Sequence, residues 1–65
     1  MSDQFFDVVA VDMSTGAVSV IEKGKSQTDA DAIVYMAVKR RGVEEEFFVS
    51  VESGKYKDGD YWGDK

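Results

Sequence analysis

Histidine and cysteine, the side chains that most often carry chemistry near neutral pH, are both absent from this chain of 65 residues. Imidazole-based nucleophile pairs, thiolate metal sites and the usual zinc ligand sets are therefore excluded. Acid–base work would fall to carboxylates alone. Asp58 and Asp60 flank Gly59 as the start of a cation loop would, but the further oxygen ligands and the closing glutamate of a calcium loop do not follow. Gly54, Gly59 and Gly63 fall within ten residues. No helix is expected after them and no lysine holds a phosphate-loop position, so they read as turn glycines. No catalytic, cofactor-binding or metal-binding residue is expected.

Recognition chemistry is better represented. Glu44, Glu45 and Glu46 form the densest acidic run, and Glu52 lies on the same stretch. One reading is an electrostatic contact with an Arg/Lys-rich surface, which would speed association and select the partner. The other is protection of a strand end against edge-to-edge aggregation. The eight aromatic residues exceed what a core of one helix on one sheet can hold. Tyr35 falls off the apolar stripe of its helix, Phe48 has the wrong parity for the core, and Tyr56, Tyr61 and Trp62 stand in a polar tail. Exposed Tyr and Trp near charge is the composition of interface anchors. Alternatively, the tail folds back and buries Trp62 over the open sheet face.

Acidic and basic residues number 13 and 8, a net charge of −5. That balance argues against direct nucleic-acid binding, which draws most of its non-specific affinity from a basic footprint. The longest apolar run, Ala32 to Val38, is far short of the roughly 20 residues that span a bilayer, and no basic, apolar signal sequence opens the chain. The expectation is one cytoplasmic domain over residues 1–65, with 1–4 and 63–65 frayed and no cofactor.

The elements that must position these side chains follow from periodicity. Phe5 to Asp12 and Ala17 to Lys23 are rich in β-branched and aromatic residues and read as strands joined by Met13-Ser14-Thr15-Gly16. Apolar residues of both parities make the first a central strand, with one face under the helix and the other under a partner or the tail. A four-residue loop sets Val11 opposite Val18 and Val9 opposite Val20. It also sets Asp7 opposite Glu22, a like-charge pair that leaves the register open.

Thr28 to Arg41 has the 3.6-residue period of a helix, with Ala30, Ile33, Val34 and Ala37 on one stripe. Ser26 with Asp29, or Thr28 with Asp31, supplies a capping pattern, and Thr28 is the expected cap. Lys39, Arg40 and Arg41 suit the negative helix end, and Gly42 its termination. Within Val43 to Ser53, Phe47, Val49 and Val51 alternate with Phe48, Ser50 and Glu52, so the first three should face inward. Turns at Ser53-Gly54 and Asp58-Gly59 would frame a last, short strand. The predicted fold is α+β: a small antiparallel, meander-like sheet with one helix on a face, in the order β-β-α-β-β.

This layout resembles that of small acidic inhibitors encoded by bacteriophages. One similar group is a type I-F anti-CRISPR family, with a hairpin, a Ser-started helix ending at glycine, a strand, and a terminal Tyr-Lys-acid-Gly-x-x-Trp segment. Tyr56-Lys57-Asp58-Gly59-Asp60-Tyr61-Trp62 looks like that segment. The phage inhibitor of host RNA polymerase is similar too, with a ββαβ order and an acidic surface. The resemblance implies a phage-encoded protein that binds and blocks a host protein. Taken with the residues' own composition, it leads to the expectation of a non-enzymatic contact with a basic host protein, in which exposure and charge, not the resemblance, mark Tyr35, Phe48, Tyr56, Tyr61 and Trp62 as anchors and Glu44, Glu45, Glu46 and Glu52 as steering charges. The alternative is a self-associating accessory protein that forms a homodimer through an open sheet edge or face, such as the two-sided first strand.

Overall fold

The computed structural model describes residues 4–42 and 44–63. The fraying expected at 1–3 and 64–65, and Val43 at the start of the third strand run, lie outside these residues. Strands β1 (Phe6–Asp12) and β2 (Val18–Lys25), helix α1 (Gln27–Arg41) and strand β3 (Glu46–Glu52) follow in that order. The fold is α+β, but the expected fourth strand is not present among the described residues. The chain after Glu52 makes turns and a single bridge, Ala17 to Tyr61. Three closely spaced turn glycines, Gly54, Gly59 and Gly63, all at positive φ, leave too few extended residues to form a ladder.

The strands pair antiparallel in the order β2-β1-β3. The sheet is therefore not a meander: α1 carries the chain over β1, and β3 runs parallel to β2 on the far side. β1 is central, as its two-sided apolar pattern requires, and both of its edges are taken. It has no edge left for a second copy, which corrects the expectation of self-pairing through this strand.

Val11 pairs with Val18 and Val9 with Val20, but Glu22 pairs with Val8 and Lys25 with Phe6. The extra residues in β2 are β-bulges. They remove the expected Asp7–Glu22 opposition, and Gly24, at φ 64°, supplies the left-handed backbone for the second shift.

Both faces of the sheet are covered, by different layers. Val9, Val11, Val18 and Tyr56 form a buried cluster, with Val20, Phe47, Val49 and Val51 packed against it. The C-terminal segment closes this face. Val8, Ala10 and Phe48, of opposite parity, are buried on the other. The Arg41 guanidinium, 5.4 Å from the centre of the Phe48 ring, marks that face as the helix side. Phe48 is only 8 % exposed, so the expectation that parity turns it out of the core is overturned. A sheet with two covered faces has two interiors, and alternation cannot say which is solvent.

In α1 the four residues withdrawn from solvent are Ala30, Ile33, Val34 and Ala37, the stripe that periodicity marks. The cap is Ser26, not Thr28: its hydroxyl accepts from the Asp29 N–H at 3.2 Å. Extended backbone at Ser26 is what an N-cap needs. Ser26→Ala should cost about 1 kcal/mol in thermal unfolding, while Thr28→Ala, at an exposed helical position, should be neutral or slightly stabilising. Equal losses would misplace the cap.

Candidate functional site

Two places concentrate polar chemistry. The first is around Asp7, the one buried charged residue among those described, at 2 % exposure. Its parity is that of Val9 and Val11, so the strand turns it inward. One carboxylate oxygen accepts from Gly24 N–H at 3.0 Å and Ser53 Oγ at 2.9 Å, and the other from Gly54 N–H at 3.0 Å. Desolvation pushes the carboxyl pKa up. The bonds from Gly54, Gly24 and Ser53, with the charge of Lys23, outweigh it and hold the pKa below its ordinary value of 3.8. This carboxylate ties the β2 bulge to the turn after β3. Its hydrogen-bonding capacity is used within the fold, so it suits a structural clamp better than an acid or base.

The second place is the hairpin end of the sheet. Asp12 ends β1, and its Oδ1 accepts from Ser14 Oγ at 2.6 Å, Ser14 N–H at 2.8 Å and Thr15 N–H at 3.2 Å. The Ser14 hydroxyl and the two backbone bonds lower its pKa and hold the carboxylate in one orientation. The turn beyond it is anchored on both sides. Met13 N–H donates to Glu45 O at 2.9 Å, and Trp62 N–H donates to Gly16 O at 2.8 Å. Gly16 sits at φ 80°, the conformation the turn needs beside the incoming tail.

Asp12, Met13, Ser14, Glu44 and Glu45 line a cavity of about 390 Å³ open to solvent. Its lining residues include one thioether and three carboxylates. Glu44 and Glu45 have no cationic partner among the described residues. At the same end of the sheet, tied to the turn through Gly16, the tail contributes its aromatic rings. Trp62 stacks on Tyr56 at 5.2 Å and 17° and meets Phe47 edge-on at 5.4 Å and 85°. It remains 40 % exposed, and Tyr61 52 %. Phe47 is the cross-strand partner of Val11, one residue from the Asp12–Glu46 pair. Carboxylates and half-exposed rings thus meet at one end of the molecule.

The expected anchors and steering charges separate accordingly. Glu44, Glu45, Tyr61 and Trp62 come together at the hairpin end. Tyr56 is 5 % exposed and serves as the floor on which Trp62 stacks, and Phe48 belongs to the helix-side core. Neither can be a surface anchor, because the tail and the helix cover them. Glu46 is engaged by Arg41 at 3.1 Å. Glu52 lies at the opposite end of β3, where Gln4 Nε2 approaches it at 3.4 Å. Tyr35, 62 % exposed, stands on the solvent side of α1, away from the rest. Sequence reasoning missed Asp12, Met13 and Ser14 as lining residues. The Asp-x-Ser-Thr spacing of an Asx turn was the available signal.

Asp58 and Asp60 turn out to be structural. Asp58 Oδ1 accepts from Val20 N–H at 2.6 Å, and Asp60 Oδ2 from Lys57 N–H at 3.0 Å. Val18 N–H donates to Asp60 O at 2.8 Å, and Gly59 N–H to Val18 O at 3.0 Å. The turn therefore caps the outer edge of β2, where unpaired strand groups would otherwise stand open. Among the described residues there is no group of three acidic, His or Cys residues placed to hold a metal, and no helix long and apolar enough to cross a membrane. No protein-family model, curated protein or solved structure matches the chain.

Proposed function

We propose that this chain is a non-enzymatic binding protein of the kind encoded by bacteriophages, which docks its hairpin end on a basic surface of a host protein in the cytoplasm and inhibits or modulates it. The observation that carries this reading is the convergence of Asp12, Glu44 and Glu45 around one cavity at the hairpin end, the end to which the half-exposed Trp62 is tied through Gly16. A guanidinium or ammonium can enter such a cavity with its apolar stem on Met13 and its charge among the carboxylates. The half-exposed Trp62 indole at the same end of the molecule offers aromatic surface for a second cation or an apolar side chain. The orientation of Asp12 and the anchoring of the turn on both sides reduce the ordering cost of binding. The ββαβ order and acidic surface are also those of the phage polymerase inhibitor that the sequence resembles. The lack of histidine and the commitment of Asp7 to the fold support a non-enzymatic role.

Reversing the charge of Glu44 and Glu45 together should leave thermal unfolding within about 0.5 kcal/mol of the parent, since both side chains are exposed. Affinity for an arginine-rich peptide, and for the partner captured from host lysate, should fall about tenfold or more, with the parent's binding weakened by salt. Equal binding by parent and variant would overturn the reading.

A further inference from the structure

The face of α1 turned away from the sheet carries exposed large side chains that the fold does not use. Opposite the sheet-facing Ala30, Ile33, Val34 and Ala37, the residues Thr28, Ala32, Tyr35 and Lys39 recur at spacings of four, three and four, the seam of a helix pair. Tyr35 is 62 % exposed and the neighbouring Met36 52 %. The Lys39 ammonium lies 5.4 Å from the Tyr35 ring centre, so its stem lines the seam. Core packing gives no reason for a tyrosine and a methionine here.

We infer that this face is the interface of a homodimer in which α1 packs antiparallel on α1 of a second copy. Two observations select that occupant. First, the seam is self-complementary in size. Antiparallel pairing about its centre opposes Tyr35 of each copy to Ala32 of the other, a large side chain over a small one. Second, it is self-complementary in charge. The first turns carry Asp29 and Asp31, and the last carries Lys39, Arg40 and Arg41. Antiparallel pairing sets Lys39 of one copy beside the aspartates of the other, whereas parallel pairing would set like charges together. The open outer edge of β3 does not offer the same match. Pairing β3 with itself about Val49 opposes Glu46 to Glu52 at both ends. One short seam covers less than the ~800 Å² per partner of a standard interface, so the dimer is weak, with a dissociation constant of roughly 10–500 µM. The inference does not rest on the partner reading above, because α1 and the tail lie on opposite faces of the sheet and dimerisation leaves both hairpin ends free.

Sedimentation equilibrium from low micromolar to ~1 mM protein tests it. The parent should pass from monomer to dimer, and Tyr35→Glu should remain monomeric with an unchanged circular dichroism spectrum. The charge pattern gives a sharper test, since Asp29 and Asp31 are too far along one helix to touch Lys39 of the same chain. Asp29→Lys/Asp31→Lys and Lys39→Glu/Arg40→Glu should each dimerise about tenfold more weakly than the parent. An equimolar mixture of the two should regain the parent's association. A parent that is monomeric throughout overturns the proposal and leaves the face to a helix of another protein. A dimer that survives Tyr35→Glu, or a mixture that fails to recover, overturns the assigned face and orientation.

Discussion

Asp7→Ala is expected to lower the unfolding free energy by about 2–3 kcal/mol, because it removes three hydrogen bonds to one charged acceptor and leaves their donors to be rehydrated. A chain of this size holds roughly 3–10 kcal/mol in total, so the variant should be partly unfolded at 37 °C. Asp7→Asn should cost somewhat less. Its amide oxygen can keep Gly24 N–H and Ser53 Oγ, while its NH2 group then faces Gly54 N–H, donor against donor. The pH dependence has a definite sign. The folded pKa of Asp7 lies below its ordinary value of 3.8, so the ionised form is favoured by folding. Its contribution is complete above that value and is lost as pH falls through the folded pKa. The melting temperature should hold steady from neutral pH to about 4 and then drop, and Asp7→Asn should flatten most of that drop. Thermal scans of parent and variant between neutral pH and about 2.5 decide it. Parallel curves would show that another carboxylate governs acid stability.

Tyr56→Ala should be at least as damaging, at about 3–4 kcal/mol. The ring is 5 % exposed, fills the cluster with Val9, Val11 and Val18, and is the surface on which Trp62 stacks at 5.2 Å. Its removal opens a cavity and releases the indole, so urea midpoints should fall and Trp62 emission should shift to the red in the folded protein. Tyr56→Phe keeps the packing and the stack and should cost less than about 1 kcal/mol. If Tyr56→Ala leaves both emission and midpoint unchanged, the C-terminal segment is not a layer of the fold.

These two residues also show where the sequence was legible and where it was not. The inner stripe of α1, the Gly42 stop, the central place of β1 and the pairing of Val9 and Val11 with Val20 and Val18 all follow from local period and turn length. Each depends on a few neighbouring residues. What failed was information that arises only when distant segments meet. The conflict between Asp7 and Glu22 was visible, but its resolution by bulges in β2 depends on Asp7 finding Gly24, Ser53 and Gly54. The parity of Phe48 was read as exposure because alternation presumes one wet face, and here the tail makes the second face an interior. Ser26 and Thr28 both fit a capping pattern, and backbone geometry two residues apart decides between them. For the proposed binding surface, Glu44, Glu45, Tyr61 and Trp62 follow from composition alone. Asp12, Met13 and Ser14 were passed over because a hairpin turn satisfies its own local logic and gives no sign of what packs beside it.

The two layers divide the work. α1 and the tail each cover one face of a thin sheet, and the hairpin turn whose residues line the cavity is itself held by Glu45 O on one side and by the tail at Gly16 on the other. On the proposed reading, binding there would draw on groups that folding has already ordered. The most direct test is an NMR titration of the isotopically labelled protein with an arginine-rich peptide at low salt. Amide shifts centred on Asp12, Met13, Ser14, Glu44, Glu45, Tyr61 and Trp62, and suppressed by salt, are the predicted result. Shifts centred on Glu22 and Glu52 instead, or none at millimolar peptide, would contradict the account.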